Sequence, residues 1–176
     1  MANSEVRPAD GKLGIMVVGL GAVTSTFMTG VLMARKGLAK PVGSMVEYDK
    51  IRVGRGADKK YLHYRDVVSI AQLSDIEFGA WDVYPADAYR SAIYAEVLKE
   101  KDIEPVRDEL ERIVPMKAAF DKNFAKRLDG DNVMTCKTRW EMVEQLRSDI
   151  RRFKQEHGCE RIVVAWAAST EIYVPV

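Results

Sequence analysis

Cysteine and histidine are scarce in this sequence, with two of each among 176 residues. Cys136 and Cys159 form no C-x-x-C pair and no metal-ligand spacing, so no metal site is expected. They read as free thiols of a reducing compartment, with a disulfide between them left open. His63 lies in a Tyr-Leu-His-Tyr stretch and His157 closes a periodic segment, where a histidine favours the helix dipole. No nucleophile elbow or clustered carboxylate pair accompanies them, so no catalytic constellation is visible. An excess of charge of one sign is lacking too. The formal net charge is +1, which gives no reason to invoke nucleic acid or an anionic membrane. Lys59-Lys60 and the set Arg147, Arg151 and Arg152 read as solvated faces. No apolar run approaches the ~20 residues needed to span a bilayer. The first ten residues carry Glu5, Arg7 and Asp10 where a signal peptide has its apolar core, so residues 1–10 read as a flexible leader and the expected location is cytoplasmic.

What is present is an ordinary globular composition, 47% hydrophobic and 30% charged, in a chain long enough for one domain with a core. Leu13 to Val18 is a continuous apolar run, the mark of a strand buried on both faces of a parallel sheet. Ala22 to Lys36 carries Val23, Phe27, Val31 and Ala34 at helical spacing, with Gly37 where a C-cap belongs. Gly43 to Tyr48 reads as a short second strand, and Asp49 to Arg65 as a polar loop or an irregular excursion. A third strand is expected over Ile76 to Trp81, ending at Asp82-Val83-Tyr84. Pro85 then opens a helix with Tyr89, Ile93 and Val97 on one face. A further helix begins at Pro105, with Val106, Leu110, Ile113 and Val114 apolar. Arg139 to His157 is the most periodic segment, lined by Val143, Leu146, Ile150 and Phe153 and closed by Gly158. Arg161 to Ala167 is the last strand. Strands alternating with helices predict an α/β fold with a mainly parallel, Rossmann-like sheet over residues 11–176.

In such sheets ligands bind beyond the carboxyl ends of the strands. Three clusters fall there. Gly19-Leu20-Gly21-Ala22 follows the first strand as the turn of a dinucleotide-binding unit, with Thr24 in place of the usual third glycine. Asp82 follows a buried strand, where a carboxylate accepts from ribose hydroxyls. Ala167-Ala168-Ser169-Thr170-Glu171 offers small residues and then hydroxyls. Plainer readings stand beside each: a tight turn, a cap for the next helix, an ordinary polar turn. Together at one edge they favour a nucleotide site. The acid expected about 20 residues beyond the glycines falls near Glu47 or Asp49, which read equally as solvated turn residues.

The same segments carry a family resemblance. Gly11-Lys-Leu-Gly-Ile-Met-Val-Val-Gly-Leu-Gly-Ala-Val-Thr-Ser-Thr-Phe, Ala39-Lys-Pro-Val-Gly-Ser-Met, Phe78-Gly-Ala-Trp-Asp-Val-Tyr-Pro and Val164-Ala-Trp-Ala-Ala-Ser-Thr-Glu-Ile-Tyr resemble inositol-3-phosphate synthases, the bacterial branch above all. The resemblance implies NAD as cofactor and glucose 6-phosphate as substrate. It further implies internal oxidation, enolisation, aldol cyclisation and re-reduction without net redox change; a homo-oligomer is expected because so short a sheet leaves apolar edges uncovered. It assigns Gly19, Leu20, Gly21 and Ala22 to the pyrophosphate turn, Ser25 and Thr26 to a hydroxyl pair at the helix start, and Asp82 to the adenosine ribose. Ala167, Ala168, Ser169 and Thr170 are assigned to the stretch against the cofactor. The Gly-Gly-Asn-Asn-Gly turn of eukaryotic members is shortened here. The family's catalytic domain lies beyond the matched stretch, so catalytic residues are unassigned and a truncated, inactive NAD-binding portion is expected. The alternatives are a stand-alone, non-catalytic nucleotide-binding or regulatory module, and an oxidoreductase domain without its substrate-binding half.

Overall fold

The computed structural model describes residues 10–123 and 128–168. β1 (Lys12–Val18) runs into α1 (Ala22–Arg35). An excursion follows, made of α2 (Met45–Tyr48), β2 (Lys50–Val53), β3 (Lys60–His63) and α3 (Tyr64–Val67). The chain then returns as β4 (Ile76–Asp82), followed by α4 (Ala88–Ala95), α5 (Glu100–Ile103) and α6 (Arg107–Glu111). The last elements are β5 (Met116–Lys117), α7 (Arg139–Glu156) and β6 (Cys159–Trp166). Four strands form a parallel sheet in the order β5-β4-β1-β6. β2 and β3 pair antiparallel, apart from it.

This is the α/β, Rossmann-like class that the alternation of apolar runs implies. The chain moves outward from β1 to β4 and β5, then crosses back to place β6 on the other side of β1. The order therefore reverses at β1, and the crevice at the carboxyl ends of β1 and β6 is the switch point where such sheets bind ligands.

Side-chain alternation along the strands builds two cores. On one face Ile15 and Val17 of β1 and Ile76, Phe78 and Ala80 of β4 pack against Met28 and Leu32 of α1, Ala92 of α4 and Leu110 of α6. On the other face Met16 and Trp81 meet Leu146, Ile150 and Phe153 of α7. The Phe153 ring occupies the space that side chains at Gly14 and Gly79 would fill. Trp81 Nε1 also donates to Asp149 Oδ2 at 3.0 Å, and the buried carboxylate takes Gln145 Nε2 and Arg152 as further donors. A buried carboxylate needs that full set of partners, and the set ties α7 to the end of β4. The periodic segment also carries its own start and stop. Thr138 Oγ1 accepts from Glu141 N at 3.1 Å while Glu141 Oε2 accepts from Lys137 N at 2.7 Å, a reciprocal cap of the kind that fixes helix starts.

Several expectations are corrected. Gly43 to Tyr48 is not a strand: Ser44 caps α2 there. The polar stretch after it is a hairpin rather than a loop, with Ile51 opposite Leu62. The buried face of α1 is Thr24, Ser25, Met28, Thr29, Val31 and Leu32, whereas Val23 and Phe27 are exposed. Hydroxyls are tolerated inside because they bond to backbone, as Thr29 Oγ1 does to Ser25 O at 2.7 Å. The helix expected from Pro85 starts three residues later, at Ala88, where Asp87 caps it by accepting from Arg90 N at 2.8 Å. It ends before Val97, which is exposed. The segment around Pro105 breaks into α5, a 3₁₀ turn and α6. β6 is open at Val163 and Val164, unlike a strand buried on both faces.

Both cysteines are free, but their surroundings differ. Cys159 is packed beneath Phe153, and burial pushes its thiol above the ordinary range; Cys136 is half-buried. Because the thiolate is the reactive form, a disulfide reagent on the native chain is expected to label Cys136 first and Cys159 only on unfolding. Cys136→Ser should then remove the fast phase. Equal labelling rates would contradict this packing. Among the described residues no helix is long and apolar enough to cross a membrane.

Candidate functional site

The site is built where β1 runs out. Gly19 turns the chain with φ of +95° and donates its N–H to Trp81 O at 2.8 Å. A Cβ there would stand 2.7 Å from Ala168 Cα and 2.8 Å from Ala168 N. Glycine is thus required twice, for the dihedral and for the approach of the segment after β6. Ala167 N donates to Val18 O at 2.9 Å, extending the β1–β6 ladder. The ends of β1, β4 and β6 are tied around one turn.

Asp82 closes that turn from the side of β4. Its Oδ2 accepts from Leu20 N at 2.6 Å and its Oδ1 from Tyr84 N at 2.9 Å. Each carboxylate oxygen retains a further lone pair for a ligand hydroxyl. α1 starts at Gly21 with no side chain capping its first turn. Gly21 and Ala22 are exposed, and a Cβ at Gly21 would meet nothing within 4 Å. Free N–H groups and the positive end of the helix dipole therefore face open space, which suits an anion. Thr24, standing where the third glycine of the fingerprint belongs, is buried and donates Oγ1 to Gly19 O at 2.6 Å. The departure from the fingerprint keeps the turn closed.

The structure brings Gly19, Leu20, Gly21, Ala22, Asp82, Ala167 and Ala168 to one edge. Ser25 is fully buried, and its hydroxyl donates to Ala22 O at 3.4 Å inside the helix. Thr26 is half-buried one residue further on. Ser169 and Thr170 lie outside the described residues.

The structure places Glu47 and Asp49 away from the glycine turn. Glu47 pairs with Arg65 at 3.4 Å and lines a hollow with Ala34, Pro41, Gln72 and Leu73. That hollow is at the C-terminal end of α1, opposite the glycine turn, and Asp49 ends α2 nearby. The physical reason is the excursion between α1 and β4. In an uninterrupted unit the acid about 20 residues on stands at the end of the next parallel strand. Here that neighbouring strand is β4, and the carboxylate at its end is Asp82.

Sequence reasoning missed Asn132. Its Nδ2 lies 2.9 Å from Asp82 O, 3.1 Å from Met116 O and 3.3 Å from Pro115 O, while its backbone N–H donates to Val83 O at 2.9 Å. The one local signal was Gly130-Asp131-Asn132, a turn-like tripeptide with no periodicity around it.

Comparison with known proteins agrees with this geometry. A family model described as myo-inositol-1-phosphate synthase, NAD-binding, matches residues 13–176. Inositol-3-phosphate synthase 1 of Bacteroides thetaiotaomicron is 56% identical over 173 residues, spanning 98% of this chain and 40% of that protein. Inositol-3-phosphate synthase 1 of rice, Oryza sativa subsp. japonica, is 31% identical, spanning 92% of this chain and 35% of its own length. The crystal structure of inositol-3-phosphate synthase from Caenorhabditis elegans superposes with a TM-score of 0.81 at 27% identity, covering 97% of this chain and 36% of that one. The chain thus spans about 40% or less of these relatives' lengths.

Proposed function

The chain belongs to the myo-inositol-1-phosphate synthase family, and from that premise we propose that it is the NAD-binding portion of an enzyme converting glucose 6-phosphate to inositol 3-phosphate. The matched segment is the family's NAD-binding domain, and NAD is its cofactor. The observation that carries the reading is the 2.6 Å bond from Leu20 N to Asp82 Oδ2, which joins the glycine turn and the strand-end acid at the switch point. Three requirements of a dinucleotide meet there: a turn open to close backbone approach, unpaired N–H groups for the pyrophosphate, and a carboxylate for a ribose.

On this reading Gly19, Leu20, Gly21 and Ala22 hold the pyrophosphate, supported from behind by the buried start of α1 at Thr24 and Ser25, with half-buried Thr26 next to them. Asp82 takes the adenosine ribose, Ala167 and Ala168 line the side toward β6, and the Ser169 and Thr170 hydroxyls, outside the described residues, are further cofactor contacts on this reading. Bound NAD supplies reversible two-electron oxidation of a sugar hydroxyl, so the conversion proceeds without net redox change. The residues that bind the sugar phosphate are not assigned within this chain.

Two measurements test the proposal. Calorimetric titration is expected to give micromolar NAD binding and at least about tenfold weaker NADP, because the Asp82 carboxylate repels a 2′-phosphate. With glucose 6-phosphate and NAD, the chain alone is expected to form no inositol phosphate. Adding the C-terminal remainder of the Bacteroides relative should restore turnover. Tight NAD binding without turnover in that mixture would instead favour a stand-alone nucleotide-binding module.

A further inference from the structure

We infer that Asn132 is a positioning residue for the cofactor site, acting through Asp82. This rests on the reading of Asp82 as the ribose acid. β4 and β5 share only the pairs Trp81–Met116 and Asp82–Lys117, the last residues of each strand, so the ladder stops at Asp82 and gives the chain beyond it no further hold. The Asn132 amide takes over there: two N–H groups serve the carbonyls of Asp82, Met116 and Pro115. Its own backbone completes the clamp, since Asn132 N donates to Val83 O and Asn132 O accepts from Ala118 N, each at 2.9 Å. Gly130 lets the loop come this close, because a Cβ there would overlap Val83 O and Val83 Cβ.

Three successive carbonyls at the end of β4 are therefore held in place. Trp81 O takes Gly19 N, Asp82 O takes Asn132 Nδ2 and Val83 O takes Asn132 N. With both neighbouring peptides restrained, the Asp82 side chain has one direction in which to meet Leu20 N and Tyr84 N. The half-buried amide holds that direction from 50 residues away. An aspartate of the same shape would set carboxylate oxygens against three carbonyl oxygens and lose the clamp.

The test is a double-mutant cycle on NAD affinity in the purified chain, using Asn132→Ala, Asp82→Asn and the pair, with thermal unfolding recorded for each. Asn132→Ala is expected to weaken NAD about tenfold, and the double variant to bind no more weakly than Asp82→Asn alone. Additive losses would mean that Asn132 supports the fold without acting through Asp82, overturning the inference. So would unchanged affinity in Asn132→Ala while Asp82→Asn binds weakly. Unchanged affinity in Asp82→Asn would overturn the ribose assignment itself, and the inference with it. If Asn132→Ala does not fold, Asn132→Ser, which keeps one donor, enters the same cycle under the same criteria.

Discussion

Asp82→Ala is expected to weaken NAD binding about 100-fold, a loss of about 3 kcal/mol. The carboxylate serves two backbone donors at once, Leu20 N at 2.6 Å and Tyr84 N at 2.9 Å. A charged acceptor contributes about 1.5–3 kcal/mol to each hydrogen bond it keeps. Removing it releases the glycine turn and takes away the ribose acceptor. The fold should suffer less than the affinity, because the side chain is half-buried and the freed Tyr84 N–H lies at an exposed position. Calorimetric titration, with circular dichroism as the control for folding, separates the two. NAD affinity unchanged in a folded Asp82→Ala variant would remove Asp82 from the site.

Gly19→Ala is expected to have the opposite balance, with a large effect on stability. The residue sits at φ of +95°, which carries a penalty of about 1–3 kcal/mol for a side chain. Its new methyl would also press on Ala168 backbone at 2.7 Å. Together these amount to about 3 kcal/mol, which lowers the Tm by about 10 °C in a chain of this size. Gly21→Ala is the informative partner. Its φ is −91° and nothing lies near its Cβ, so its Tm should stay within a few degrees while its methyl intrudes where the pyrophosphate approaches. A Gly19→Ala variant as stable as the parent would contradict the turn described here.

The parts of the site read from the sequence were those written in consecutive residues. The apolar run into Gly19-Leu20-Gly21, the run ending at Trp81-Asp82 and the run ending at Ala167 each announce a strand and its end. The family resemblance rests on the same words. What failed was any inference that counted along the chain. The spacing of about 20 residues pointed to Glu47 and Asp49, but the excursion through α2, β2, β3 and α3 carries them away from the glycine turn, and the carboxylate beside it is Asp82. The stripe expected on α1 held at Val31 and failed at its start, for a related reason. Hydrophobicity placed Val23 and Phe27 inward, but α1 starts against a turn whose carbonyl needed the Thr24 hydroxyl. Hydrogen bonding chose the buried side.

The sequence by itself determined the class of fold and the identity of the strand ends. Periodicities of two and 3.6, caps such as Thr138 and stops such as Gly37 and Gly158 are local quantities that neighbouring residues carry. Only the tertiary structure decided which ends meet. Leu20 finds Asp82 across 62 positions and Asn132 finds it across 50. Such pairings depend on strand order, and the order β5-β4-β1-β6 is set by which helices cover which face of the sheet. No stretch of sequence contains that choice, because it arises when distant apolar faces are buried together and the polar groups stranded at their ends must find partners.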